Sequence, residues 1–455
     1  MTKKIPIIGR WLAGRPELEK VIANTGWLFI DNIIRMGMGL FVGVWIARYL
    51  GPQQVGLLNF SIAFAALFGA FATLGLDNIV VREMVKHPEQ RDVFLGSAFA
   101  LKLIGGFLTL LIALIAIALI RPGETLTLGL VGLSAAGFVF QSLNVIRFYF
   151  QAHVQSKYTV YAANSAFLII SLLKVVLLIR QAPLIAFAFA GLAEVILTSL
   201  FLIVAYRYNH LKIRAWRFER AVAWELLKDS WQLIFSSLAF MIYMRIDQVM
   251  LGQMLGDHAV GIFSAAVRLT EAWYFIPAAI VASVYPAIIL TKAANETLYY
   301  QRLQKLFDLM AFLGISIAVV TTFSSSYIIN YLYGLSYAAS ADVLALHIWA
   351  GAFFGLWVAS GSWFIAENLQ KYAFYRNFVG GVVNVLLNLY MIPQYGPTGA
   401  AISTIISAGC ASVLFNALNS RTRKIFICQI KSLLLYNFIK SGISCFTTQP
   451  GPAKG

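Results

Sequence analysis

Charged side chains are scarce in this 455-residue chain, at 12% of the residues. A soluble domain carries roughly 25%. Acids are scarcer still, with 19 Asp and Glu against 35 Lys and Arg. At 60% hydrophobic residues, such a chain in water would expose patches large enough to aggregate. A soluble globular protein is therefore excluded, and lipid is the solvent for much of the molecule. Cysteine is equally sparse. Cys410, Cys428 and Cys445 form no CxxC pair, so they build neither a disulfide frame nor a metal site. The five histidines are dispersed and lack metal-ligand spacing. There is no phosphate-binding P-loop, so this chain would not itself couple ATP hydrolysis to transport. No catalytic constellation and no cofactor motif appears, and the chain is read as a non-enzyme. The net charge of +16 does not mark a nucleic-acid binder, because the cations fall in short loops and not on one face of a polar domain.

What fills the sequence instead is a series of apolar runs, each long enough to cross a bilayer as a helix. Twelve spans are expected, at about 26–47, 55–76, 93–120, 126–148, 159–180, 184–205, 231–251, 260–290, 306–331, 341–365, 374–394 and 399–420. The fold class is thus all-α and polytopic. The first residues, "MTKKIPIIGRWLAGRPELEK", are basic, with no cleavable signal pattern, and are expected to lie along the cytoplasmic membrane surface. The longest interior loop, "RYNHLKIRAWRFERAVAWELLKDS", follows span six. Loop cations concentrate on one side, including Arg82, Lys86, Arg207, Lys212, Arg214, Lys371, Arg376 and Arg421. The other side has only Arg48, Arg121 and Arg180. Cations mark the cytoplasmic side, so both termini are expected there, as an even span count requires.

A repeat divides the chain. "YLGPQQVGLLNFS" at 49–61 and "MLGDHAVGIFSAA" at 254–266 share Leu, Gly, Val and Gly at a constant offset of 205 residues. Both stretches form the outer turn between the first two spans of a six-span half. The halves are read as parallel repeats about an axis along the membrane normal. The expected organisation is a basic N-terminal segment 1–24, an N-lobe 25–205, a basic linker 206–230, a C-lobe 231–420 and a cytoplasmic tail 421–455.

Nine charges remain inside the spans: Arg35, Lys102, Lys174, Arg245 and Arg268, with Asp31, Glu194, Asp247 and Glu271. Each costs about 2.5–3.5 kcal/mol at a helix centre, so such residues face a bundle interior or a watery cavity. Some can be packing pairs: Asp31 with Arg35 and Arg268 with Glu271 along one helix, and Lys174 with Glu194 between neighbouring spans. Lys102 has no evident partner. Arg245 and Asp247 are two residues apart, point to different faces, and have no charged counterparts in the first half, where Leu40 and Val42 stand. Pro277, Pro286 and Pro393 permit kinks, and Gly37, Gly39, Gly43, Gly105 and Gly106 permit close helix approach.

The stretch "NTGWLFIDNIIRMGMGLFVGVWIARYLGPQQVGLLNF", the later "YMRIDQVMLGQMLGDHAVGIFSAA" and the "YGPTGAAIST" of 395–404 resemble the polysaccharide transport family. These are Wzx-type flippases of O-antigen and capsule oligosaccharides, within the multidrug/oligosaccharidyl-lipid/polysaccharide exporter superfamily. The similarity runs from about Asn24 to Leu418. It implies two six-helix lobes in a V around a central cavity, in the inner membrane. It implies translocation of an undecaprenyl-pyrophosphate-linked oligosaccharide by alternating access, coupled to a proton or sodium gradient, beside glycan polymerase machinery. On that reading Arg35, Lys102, Lys174, Arg245 and Arg268 bind substrate, because a pyrophosphate losing water needs preplaced cations. Asp31, Glu194, Asp247 and Glu271 serve ion coupling. Alternatives are a drug or cation exporter of the same superfamily, which would want a more acidic cavity, and a non-transporting membrane partner of glycan assembly. A membrane polymerase would need a long outer loop, which is not present.

Overall fold

The computed structural model describes residues 16–292 and 295–435, with side chains from Arg35 onward. Most of the expected N-terminal segment and the tail beyond 435 therefore lie outside the described residues. Helices dominate, and no strand occurs among the described residues. In chain order they are α1 (Pro16–Leu67), α2 (Gly69–Thr73), α3 (Asp77–Lys86), α4 (Arg91–Ile120), α5 (Thr125–Phe140), α6 (Val145–Ala152), α7 (Ser156–Ile179) and α8 (Leu184–Tyr208). Then follow α9 (Arg220–Met254), α10 (Asp257–Trp273), α11 (Phe275–Ile289), α12 (Glu296–Leu332), α13 (Ser340–His347), α14 (Ala350–Ala366), α15 (Gln370–Ser412) and α16 (Arg423–Leu433).

Nine helical stretches among the described residues are long and apolar enough to cross a membrane, or ten with one bent pair. The protein is a multi-pass membrane protein. Twelve spans are expected from sequence, and the differences have a local cause. Within α1 the helix breaks at Gly51 (φ 73°), and within α15 at Gly396 (φ 59°). Each break joins two expected spans into one continuous element. Only glycine adopts such a φ at little cost, and Pro52 and Pro397 follow at once, where they restart a helix without needing an N–H partner. The α10–α11 break has a different origin. Pro277 cannot donate to the carbonyl four residues back, and the helix stops at Tyr274.

The chain divides into two compact units, residues 1–261 and 262–455. In the first, α4 packs on α5, α7 on α8, and α9 on α1, α2 and α4. Its core gathers Leu76, Val80, Leu95, Phe150 and Tyr206, with Trp216 of the α8–α9 connector against it. Gly105 and Gly106 let α4 approach backbone closely, because a Cβ there would strike the Phe71 and Phe138 carbonyls. Gly37 meets nothing, so it serves no such contact. In the second unit α12 packs on α13, α14 and α16, and α14 on α15. Its core joins Tyr299, Phe307, Leu356, Trp363 and Ile425. Part of the expected tail is thus structural: α16 docks through Gln429 and Ser432, and the Ser432 hydroxyl donates to buried Asp308 at 2.7 Å. Large apolar side chains such as Phe107, Leu111, Leu172 and Phe323 point outward. In lipid that exposure carries no hydrophobic penalty.

Candidate functional site

Three span helices of the first unit converge on one carboxylate. Glu194 of α8 accepts from the Lys174 ammonium of α7 at 3.1 Å, and the Arg35 guanidinium of α1 stands 3.8 Å away. Arg35 also lies over the Phe167 ring of α7 at 5.2 Å. The three charged side chains keep between 21% and 31% of their surface exposed. Two cations thus share the Glu194 carboxylate, and all three groups stay partly exposed. The pairing of Lys174 with Glu194 matches the expectation from neighbouring spans. Bringing Arg35 to the same acid was not foreseen. The side chain of Asp31, the other expected neighbour of Arg35, lies outside the described residues.

Lys102 of α4 sits elsewhere in the first unit. It is buried, donates to Asp77 at 2.9 Å and lies 4.9 Å from the Phe148 ring centroid. The sequence offered Lys102 no partner; the fold supplies Asp77 at the start of α3. Asp247 of α9 is buried and Arg245 half-buried, and both take part in interactions within the protein. The helix carrying them starts at Arg220, well before the expected Trp231. Arg245 lies nine residues from its end at Met254, or about 14 Å at 1.5 Å per residue. Arg268 and Glu271 belong to α10 in the second unit. Arg268 is exposed, whereas Glu271 is half-buried and engaged.

Several charged groups escaped the sequence reading. Arg121, counted there as a loop cation, stands just beyond α4 with its side chain only 8% exposed. Its guanidinium contacts Asp257 at 2.9 Å and the Gly252 carbonyl at 2.5 Å, and it covers the Phe60 ring at 4.0 Å. Arg376, also counted as a loop residue, is 2% exposed. It is sandwiched between the Trp357 and Phe364 rings and bonded to Ser360 at 2.7 Å. Asp308, in α12, is a buried carboxylate within an expected span. The signal available for it was simply an acid inside an apolar run.

The two repeat turns meet within the first unit. Gly51 and Gly256, 205 residues apart, both take a left-handed φ (73° and 85°). A Cβ on Gly56 would collide with the Asp257 carbonyl and the Gly261 amide. A Cβ on Gly261 would collide with the Pro52 carbonyl. Residues 52 and 257 carry the same offset as 56 and 261. The contact is therefore reciprocal, as a local two-fold axis between matched turns requires.

Comparison with known proteins follows this geometry. A family model described as "Polysaccharide biosynthesis protein" matches residues 21–292. The chain is 18% identical over 413 residues to the capsular polysaccharide biosynthesis protein CapF of Staphylococcus aureus, covering 87% of this chain and 98% of that one. It is 24% identical over 442 residues to a probable low-salt glycan biosynthesis flippase, Agl15, of Haloferax volcanii, covering 90% and 87%. Among solved structures, the lipid II flippase MurJ in an inward closed conformation aligns with a TM-score of 0.65 at 17% identity, over 92% of this chain and 93% of that one. That last likeness is one of fold.

Proposed function

Because the chain belongs to the family of polysaccharide biosynthesis proteins, we propose that it is a flippase, a transporter and not a catalyst, for a lipid-linked oligosaccharide. The substrate is an undecaprenyl-pyrophosphate-linked repeat unit of O-antigen or capsule type, carried from the cytoplasmic to the periplasmic side of the inner membrane. The observation that carries this reading is the cluster of Arg35, Lys174 and Glu194. A cavity meant for a dianionic pyrophosphate needs preplaced cations that remain accessible, and a drug or cation exporter would want a more acidic lining. The glycan relatives of similar length support the same substrate class. Arg245 and Arg268 are the further cations of the proposed path, and Lys102, buried against Asp77, joins them only where that pair opens. Asp31, Glu194, Asp247 and Glu271 are the proposed ion-coupling acids, with a proton or sodium ion as the coupled species. Two six-helix lobes working by alternating access complete the reading, and the clasped repeat turns are then an outer contact that must part for release.

The test replaces the cations and reads export. Loss of one charge-assisted contact to phosphate is worth about 1.5–3 kcal/mol, so R35Q and K174Q should each lower glycan export about ten- to a hundredfold at unchanged membrane abundance. R245A should abolish it. Full export by the R35Q/K174Q double variant would sink the assignment of the cluster to the substrate.

A further inference from the structure

The connector between α8 and α9 is more than a topological link. Helix α8 ends at Asn209, whose side-chain amide donates to the Ala205 carbonyl at 2.8 Å. His210 then takes a left-handed φ of 60°, and the Leu211 amide bonds back to Tyr206. From there apolar and basic residues alternate. Leu211, Ile213 and Trp216 pack on the core of the first unit, while Lys212 and Arg214 are exposed. The strap is then pinned along its length. The Trp216 indole donates to the Tyr206 hydroxyl at 3.1 Å. The Arg217 amide donates to the Asp92 backbone carbonyl at 3.1 Å, and the Glu219 amide to the Ser97 hydroxyl at 3.1 Å. Gly96 lets the backbone of Arg217 lie against α4, where a Cβ would clash.

A loop whose cations serve only to orient the chain in the membrane has no need of this rigidity. Here the rigidity shapes a hollow of about 400 Å³, lined by Arg207, His210, Leu211, Lys212, Ile213 and Arg214, with no acid among them. Tyr208, Phe218 and Trp224 stand exposed along the same segment, which is the chemistry of a membrane–water interface.

We propose that this hollow binds the phosphodiester headgroup of an anionic phospholipid. The site opens at the end of a membrane helix, so the headgroup plane lies at its mouth. Its volume suits one headgroup and not a macromolecule. Arg207 and Arg214 offer forked donors to the phosphate oxygens, and Lys212 adds a point charge. The exposed aromatic rings then sit at the glycerol level beside it.

The experiment uses the purified full chain in neutral detergent, offered phosphatidylglycerol and phosphatidylcholine in equal amounts, with retained lipid read by native mass spectrometry. Wild-type protein should retain phosphatidylglycerol preferentially. Each cation removed should cost about fivefold in retention, so R207Q/K212Q/R214Q should lose about a hundredfold. Unchanged preference in that variant overturns the site. So does protection by soluble glycerol phosphate that equals protection by the lipid, since that would assign a free phosphate. If the triple variant does not fold, a photoactivatable phosphatidylglycerol on the wild-type protein decides. Crosslinks within 207–214 support the site, and crosslinks confined elsewhere overturn it.

Discussion

Buried charge is handled asymmetrically at Lys102. Its side chain is 5% exposed, whereas its partner Asp77 is 57% exposed. Removing the lysine leaves a carboxylate that water can solvate. Removing the carboxylate strands an ammonium that water cannot reach, and its remaining aid is the Phe148 ring. Asp77→Ala should therefore destabilise the protein by about 1–3 kcal/mol, and Lys102→Met, which keeps the packing volume, by less. Thermal unfolding of both variants in the same detergent checks the order. Equal losses would mean that the pair, and not the stranded cation, sets the cost. This partnership was illegible in the sequence, because Asp77 lies 25 residues away across a turn and pattern alone does not say which turn folds back. Lys174 and Glu194 were legible because consecutive spans pack together.

At the scale of elements, the repeat explains more than its few shared letters suggested. Leu, Gly, Val and Gly are common residues, yet the glycines have separate duties. Gly51 kinks α1 and Gly256 separates α9 from α10, each at a positive φ, while Gly56 and Gly261 remove side chains where two matched turns touch. Sequence could place the turns at equivalent positions. It could not show that they meet, since that depends on how α9 seats against α1. The reciprocity gives a test by double-mutant cycle. Gly56→Ala alone must push away Asp257 and Gly261, at a cost of about 1–3 kcal/mol, and Gly261→Ala alone must push away Pro52. Once either has forced the turns apart, the second Cβ enters space already opened. The double variant should therefore cost clearly less than the sum of the singles, a coupling measurable by unfolding the wild type and the three variants. Strict additivity would mean that the two glycines do not share one contact.

On the whole-molecule scale, the membrane assignment rests on composition and on outward-facing apolar side chains, and its polarity rests on loop cations. The fold refines that polarity argument. Arg376, counted among the loop cations, is buried between aromatic rings and contributes little to a surface field. Arg121, one of three cations on the sparse side, is held by Asp257, with Glu124 at 3.4 Å. Its charge is neutralised locally, which leaves that side poorer in free positive charge than the sequence count implied. The two corrections differ in reach: Arg121 and Asp257 are 136 residues apart, whereas Arg376 meets Ser360 on the preceding helix. The dense side keeps Arg207, Lys212, Arg214 and Arg217 exposed on the pinned connector. The asymmetry that sets orientation therefore survives folding. A cysteine at Pro122, exposed after α4, should accordingly react with a membrane-impermeant maleimide in intact cells. A cysteine at Lys157, exposed at the start of α7, should react only after the membrane is opened. Both substitutions belong in a background with Cys410, Cys428 and Cys445 replaced, so that the single new thiol reports alone. Labelling of the Lys157 site in intact cells, with protection at Pro122, would invert the molecule and with it the proposed direction of transport.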